Sequence, residues 1–253
     1  MYRSIINTVA VVFISFQSLT AQNFQAGSPE WLVDKYFRHS KFSDKQKYFI
    51  GELSRESKIP TIGEKLEGKV EIFFHQIQAT NNECAFAVQI YTDGQAIDFY
   101  CYLTKQKEGW KIRAIRSFQL PDFLYDVMDS LSNLGSFSQV DSSLYQTIYL
   151  FVLNDNEMNK YVNDNLTVLN ELVEYFEQKE NSEVDKRLKL LGCSAVFLDK
   201  KYPGCIFIQI ASFKKTEAGF IYASESANLP VISEKKFIYI EEVVTGWYVY
   251  RIM

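Results

Sequence analysis

The chain has 253 residues, 47% hydrophobic and 23% charged, which is core material for one large domain or two modest ones. Glycine (11) and proline (5) are scarce, which excludes collagen-like, low-complexity and disordered chains. A formal net charge of −4 with no long Lys/Arg run argues against a nucleic-acid partner, and the compositional excess is aromatic, at 15%.

Arg3 precedes a mostly apolar run from Ile5 to Phe16. About a dozen residues is shorter than the roughly 20 that a membrane span needs, and it suits the core of a secretory signal. The sequence predicts a signal peptide over residues 1–21, cut between Ala21 and Gln22, and an exported protein, periplasmic or secreted, with no later membrane span. Ser28-Pro29-Glu30 then reads as a helix start: a capping hydroxyl, proline in the first turn and an acid after it. A second helix is predicted from Asp44 to about Arg55, with Tyr48, Phe49 and Leu53 inward. Pro60, Gly63 and Gly68 read as turns.

From Lys69 the apolar period becomes two. Strands are predicted near Val70–Ile77, over Cys84–Thr92, Ile97–Gln106 and Trp110–Phe118. Asp93-Gly94 is the strongest hairpin signal, and as the central turn pair it sets Thr92 opposite Gln95 and Phe86 opposite Cys101. Cys84, Phe86, Val88 and Ile90 then share a dry face with Ile97, Phe99, Cys101 and Leu103. Cys84 and Cys101 are diagonal neighbours, a poor geometry for a bridge, and Cys193 and Cys205 sit at opposite ends of a later hairpin. Four free thiols are therefore favoured over two disulfides, although an exported protein could oxidise them.

With Gly109 in a three-residue bulged loop, Tyr100 faces Arg116 and Tyr102 faces Ala114. This gathers Asp98, Tyr100, Tyr102 and Arg116 on a polar-aromatic face. The patch is either a solvated sheet surface with one Asp98–Arg116 ion pair or the lining of a ligand pocket.

Two helices followed by an antiparallel sheet ending in Gly109-Trp110-Lys111-Ile112-Arg113-Ala114-Ile115 resemble the nuclear transport factor 2-like cone fold over about residues 28–120. Members of that family are catalysts, ligand binders or docking modules. The resemblance implies a curved sheet wrapped on helices. In catalytic members it also implies a His with Asp or Glu inside the cone, here His75 with Asp98. The other histidine, His39, ends the first helix, where a cation complements the helix dipole.

Residues 121–140 read as a helical linker, with a helix after Pro121 and then a Ser/Asn/Gly stretch. Residues 141–253 read as a second unit. One helix carries Leu144, Ile148 and Phe151, and another carries Leu166, Leu169, Leu172, Val173 and Phe176. A short helix opens with a Ser182-x-x-Asp185 box and ends at Gly192. Five strands follow, near Cys193–Leu198, Cys205–Ile210, Gly219–Ala223, Phe237–Glu241 and Trp247–Ile252, read as an antiparallel meander. This half resembles the C-terminal module of exported bacterial proteins that carry a cone-like first domain. That resemblance implies no particular activity. Tyr248 and Tyr250 share one face of the last strand, a candidate partner surface if the domain contact does not bury them.

The expectation is an α+β protein: cone-like helices plus sheet, then helices plus meander. Nucleophile-elbow, phosphate-loop, zinc-protease and paired-cysteine motifs are missing from the sequence, so no cofactor or metal is indicated. The function expected is an exported, non-catalytic module that binds a small ligand or an envelope protein. The alternative is a small lyase, isomerase or hydrolase using His75 and Asp98 as an acid–base pair.

Overall fold

A computed structural model gives the fold over residues 24–55, 58–92, 95–118, 120–133 and 138–253. The Ala21-Gln22 junction with the whole signal-like segment, and the Asp93-Gly94 turn itself, lie outside the described residues. The chain is α+β with antiparallel sheets. Helix α1 (Pro29–Phe37) starts as the sequence predicts: Ser28 Oγ accepts a hydrogen bond from the Trp31 amide at 3.1 Å. Leu32, Val33 and Phe37 are fully buried on its inner face.

The helix predicted over 44–55 is broken into a 3-10 turn (Lys45–Tyr48) and α2 (Glu52–Arg55). Between them Phe49 is extended, the Ile50 amide donates to the Ile112 carbonyl at 3.1 Å, and Gly51 turns the chain at φ +61°. Contact with a strand has displaced helix continuation there. Phe49 and Leu53 are buried all the same, so the inward pattern survived the break. Helix α3 (Ile62–Lys65) stands where turns were predicted. Thr61 and Glu64 cap it reciprocally, with the Thr61 amide donating to Glu64 Oε2 at 2.7 Å. A Cβ on Gly63 would lie 2.7 Å from the backbone N and O of His39, so glycine is what lets α3 close onto the end of α1.

Strands β1 (Glu71–Ala79), β2 (Glu83–Thr92), β3 (Gln95–Gln106) and β4 (Gly109–Ser117) form one sheet in chain order. The β2–β3 register is the predicted one, with Thr92 opposite Gln95 and Phe86 opposite Cys101. Tyr100 faces Arg116 and Tyr102 faces Ala114, also as predicted. The extra residue is elsewhere: Gln106 pairs with Gly109 across a two-residue turn, and the irregularity falls at Arg113, between the Tyr102–Ala114 and Leu103–Ile112 pairs. One face of the sheet (Ile72, Phe86, Val88, Ile90, Cys101, Leu103, Ile112) packs on α1 and the 44–55 segment.

The second half begins with α4 (Phe123–Ser132) and α5 (Gln139–Val152). Helix α6 (Asp155–Asp164) was missed in the sequence. It is capped by Asn154, whose side chain accepts from the Glu157 amide at 3.0 Å while Glu157 answers the Asn154 amide at 2.9 Å. Helices α7 (Leu166–Gln178) and α8 (Asn181–Leu191) follow. Helix α8 ends at Gly192 in the left-handed region, as predicted, but Ser182 does not cap it: it lies inside the first turn, after Glu180.

Strands β5 (Ala195–Leu198), β6 (Cys205–Phe213), β7 (Thr216–Ala223), β8 (Phe237–Val244) and β9 (Trp247–Ile252) run in the order β5-β6-β7-β9-β8. The predicted meander therefore fails at its last step. Residues 224–236 carry the chain past the β9 position, and the final hairpin folds back so that β9 pairs with β7. All four cysteines are free and buried. Among the described residues no helix is long and apolar enough to cross a membrane.

The outward face of the first sheet is covered over its central part, while Phe73, His75 and Tyr91 toward its edge stay partly exposed. Ala85, Ala87, Tyr100, Tyr102 and Ala114 belong to the same core as Leu150, Val162, Ile208, Phe220 and Val249 of the second half. Tyr100 and Tyr102 are 0% and 2% exposed. Each such ring removes on the order of 150–250 Å² from water, a gross gain of several kcal/mol. The core thus crosses the boundary that the sequence places at residues 121–140. Because α6 sets this junction, Asn154→Ala is expected to destabilise the protein by about 1 kcal/mol or somewhat more in urea unfolding, the usual cost of a lost cap. An unchanged midpoint would show that the cap is dispensable.

Candidate functional site

Alternation along β3 puts Asp98, Tyr100 and Tyr102 on the face that meets the second half. The capped start of α6 is held against Tyr100. Tyr100 Oη donates to Asp155 at 2.9 Å (Oδ2) and lies 3.0 Å from Oδ1. Arg251 enters from β9: its Nε donates to Asp155 Oδ1 at 2.7 Å and its Nη2 to the Leu153 carbonyl at 2.6 Å. The guanidinium also lies 4.3 Å from the Phe118 ring centroid. Asp98 closes the cluster. It accepts from the Asp155 amide at 2.8 Å and from Gln89 Nε2 at 3.0 Å, with Arg251 Nη2 3.9 Å away. Side-chain exposures of 2% for Arg251, 9% for Asp155 and 11% for Asp98 place all three charges out of bulk water.

Two carboxyls facing one guanidinium leave an excess negative charge in a poorly solvated site. Burial, followed by repulsion from Asp155, pushes the Asp98 carboxyl up to about 7, against the opposing pull of Arg251 and the hydrogen bonds from the Asp155 amide and Gln89. Burial also raises Asp155, opposed by Arg251 and Tyr100. Both carboxyls are thus held toward the protonated form, Asp98 the more so because Asp155 has the direct guanidinium contact. Burial raises the Tyr100 phenol well above its ordinary range, so it stays a donor.

Asp98 and Arg251 floor an open cleft of about 890 Å³. Phe118 lies beside them, and α4 with the turn before it supplies the far wall through Asp122, Tyr125 and Asp129. Those three recur at spacings of three and four, one stripe of a helix. Among the described residues no group of three or more His, Cys, Asp or Glu is close enough together to hold a metal ion. The carboxyls line a space sized for a small organic molecule.

The other expected site residues are placed differently. His75 lies on the same sheet face as Asp98, but its carboxylate partner is Glu241, at 2.6 Å from Nε2. Glu241 is held in turn by the Tyr239 hydroxyl, and the Tyr239 ring stands 5.2 Å from that of Tyr100. The hydrogen bond to Glu241 raises the His75 pKa above its ordinary 6.5. Arg116 does not reach Asp98. Its guanidinium is taken by Glu52 and by the Glu234 carbonyl, and Arg251 stands in the role expected of it. Tyr102 donates to the Ile238 carbonyl at 2.6 Å and is walled off from the cleft. Tyr250 is fully buried in a second small core with Phe207 and Phe237, bonded to Glu217, so it offers no partner surface. Tyr248 is part-exposed and meets Glu242 at 3.2 Å.

Asp155, Arg251, Tyr239 and Glu241 were missed. The Asn154-x-x-Glu157 box was a readable signal for α6. Arg251 shares the dry face of Trp247 and Val249, and a lone arginine on such a face requires a buried acid. Comparison with protein-family models, with curated proteins and with solved structures finds no match to this chain.

Removing either member of the Arg251–Asp155 pair strands the other. Arg251→Met and Asp155→Asn are each expected to cost about 3–5 kcal/mol in urea unfolding. The double variant should cost clearly less than the two together, with a coupling of about 1–3 kcal/mol. Strictly additive losses would contradict the pairing.

Proposed function

We propose that the protein is an exported, non-catalytic binding module whose ligand is a small organic cation held in the cleft above Asp98 and Arg251. The observation that carries this reading is the charge balance of the cleft. Its only lining cation among the described residues, Arg251, is already answered by Asp155, while Asp98, Asp122 and Asp129 face the same space. An ammonium beside such carboxyls gains charge-assisted hydrogen bonds, and the exposed ring of Tyr125 offers an aromatic face to an alkylated nitrogen. Export rests on the signal-like residues 1–21. Among the described residues the first half has one longer and two short helices with a four-stranded antiparallel sheet, in keeping with a nuclear transport factor 2-like cone.

The acid–base alternative now runs through His75 and Glu241, since that is the carboxylate the imidazole meets. The imidazole does not line the cleft.

A thermal-shift and calorimetric panel of diamines, choline-type cations and basic amino acids, set against carboxylates and neutral sugars, tests the proposal. A binding cation at a hundred times its Kd should stabilise the protein by about 2.7 kcal/mol. Asp129→Asn and Tyr125→Ala should weaken it at least about tenfold, and salt should weaken it further. Preference for an anion or a neutral sugar, or affinity indifferent to both substitutions, would overturn the proposal.

A further inference from the structure

The seam between the first sheet and the second half is crossed by two polar links that share a chemical property. At one end Asp98 on β3 meets the first turn of α6 and Arg251 of β9. At the other, His75 on β1 meets Glu241 of β8 at 2.6 Å. In each link the member on the first sheet is a group whose charge depends on a proton, and its charged partners belong to the second half.

We propose that these two links form a proton-operated clasp: a neutral Asp98 and a protonated His75 hold the first sheet against α6 and β8, and losing both protons as pH rises past neutrality loosens the seam. Geometry gives the reason. An ionised Asp98 is a second negative charge beside Asp155 with only one guanidinium between them, in a site almost closed to water. A neutral His75 loses the ionic part of its bond to Glu241.

The groups facing each member set the balance. Around Asp98 stand Asp155 from α6, Arg251 from β9, Tyr100 from β3 and Tyr91 from β2 behind Gln89. Asp122, Tyr125 and Asp129 face it across the cleft. Arg251, the amide of Asp155 and Gln89 Nε2 favour the carboxylate, while burial and the Asp155 charge outweigh them and favour the proton on Asp98. Around His75 stand Glu241 and, through it, Tyr239, with Asp155 further off. All of these are acidic or neutral, so they favour the proton on the imidazole.

The signs agree. Asp98 rises from 3.8 to about 7 on folding, so its contribution is complete at low pH and is lost as pH climbs to neutrality and beyond. His75 is raised above 6.5, so its contribution is present below that value and goes as pH passes its folded value. Glu241 is lowered from 4.5, so its share is lost only as pH falls below about that value. The clasp is tightest in mildly acidic solution, above the range where Glu241 takes a proton, and it loosens as pH rises through neutrality.

Amide hydrogen exchange of the whole protein, corrected for the intrinsic rate at each pH, tests this. Between about pH 6 and about pH 8.5 the protection of peptides covering 153–158 and 237–241 should fall about tenfold or more, while 86–88 inside the first sheet changes little. Asp98→Asn should keep 153–158 equally protected at both pH values. His75→Gln, at a half-exposed position where folding is safe, should abolish the pH dependence of 237–241 and leave that of 153–158. Protection independent of pH in the parent protein overturns the clasp. So does an Asp98→Asn protein that loosens as the parent does, or a His75→Gln protein whose 237–241 segment still responds.

Discussion

A guanidinium cannot be left unanswered inside a protein, and the position of Arg251 constrains much else. It is 2% exposed on the dry face of β9, and the acid that answers it is the first residue of α6. This fixes the start of α6 against β9. Tyr100 reaches the same carboxylate from β3, so the first sheet is registered against that helix and strand. The aromatic face of the first sheet is then covered by the second half, and one core runs through both. Apolar burial supplies the gross stabilisation of this junction. The buried ions specify which surfaces meet, because any other arrangement leaves a charge without a partner.

The same commitment shapes the cleft. With Arg251 engaged by Asp155 and the Leu153 carbonyl, it does little to neutralise the carboxyls that open toward solvent. Asp98 therefore stands at the boundary between a buried network and an accessible space. It responds to protons, and in the proposed function to a cationic ligand, for one electrostatic reason. Asp122, just before α4, and Asp129 within it extend that carboxyl lining toward solvent, and both are exposed.

Local rules made much of the fold legible. The Ser28 cap, the β2–β3 register and the pairing of Tyr100 with Arg116 all follow from turn chemistry and alternation. Places where a distant segment overrides local preference were not legible. Phe49 leaves its helix to meet Ile112, and the 224–236 connection reorders the last two strands. The site was half legible. Asp98 and Tyr100 were correctly set side by side on one face, but their partners were sought on the neighbouring strand. Apart from Gln89 on the neighbouring strand, the partners lie 55 residues or more away in sequence, and only the docking of the two halves brings them in. Burial of Tyr250 was hidden for a similar reason, since its cover comes from Phe207 and Phe237 on other strands.

If one core and one buried ion cluster join the two halves, neither half should melt alone. Scanning calorimetry of the intact protein tests this most directly. A single transition whose calorimetric and van't Hoff enthalpies agree is the expected result. Two separable transitions, or a calorimetric enthalpy well above the van't Hoff value, would contradict it.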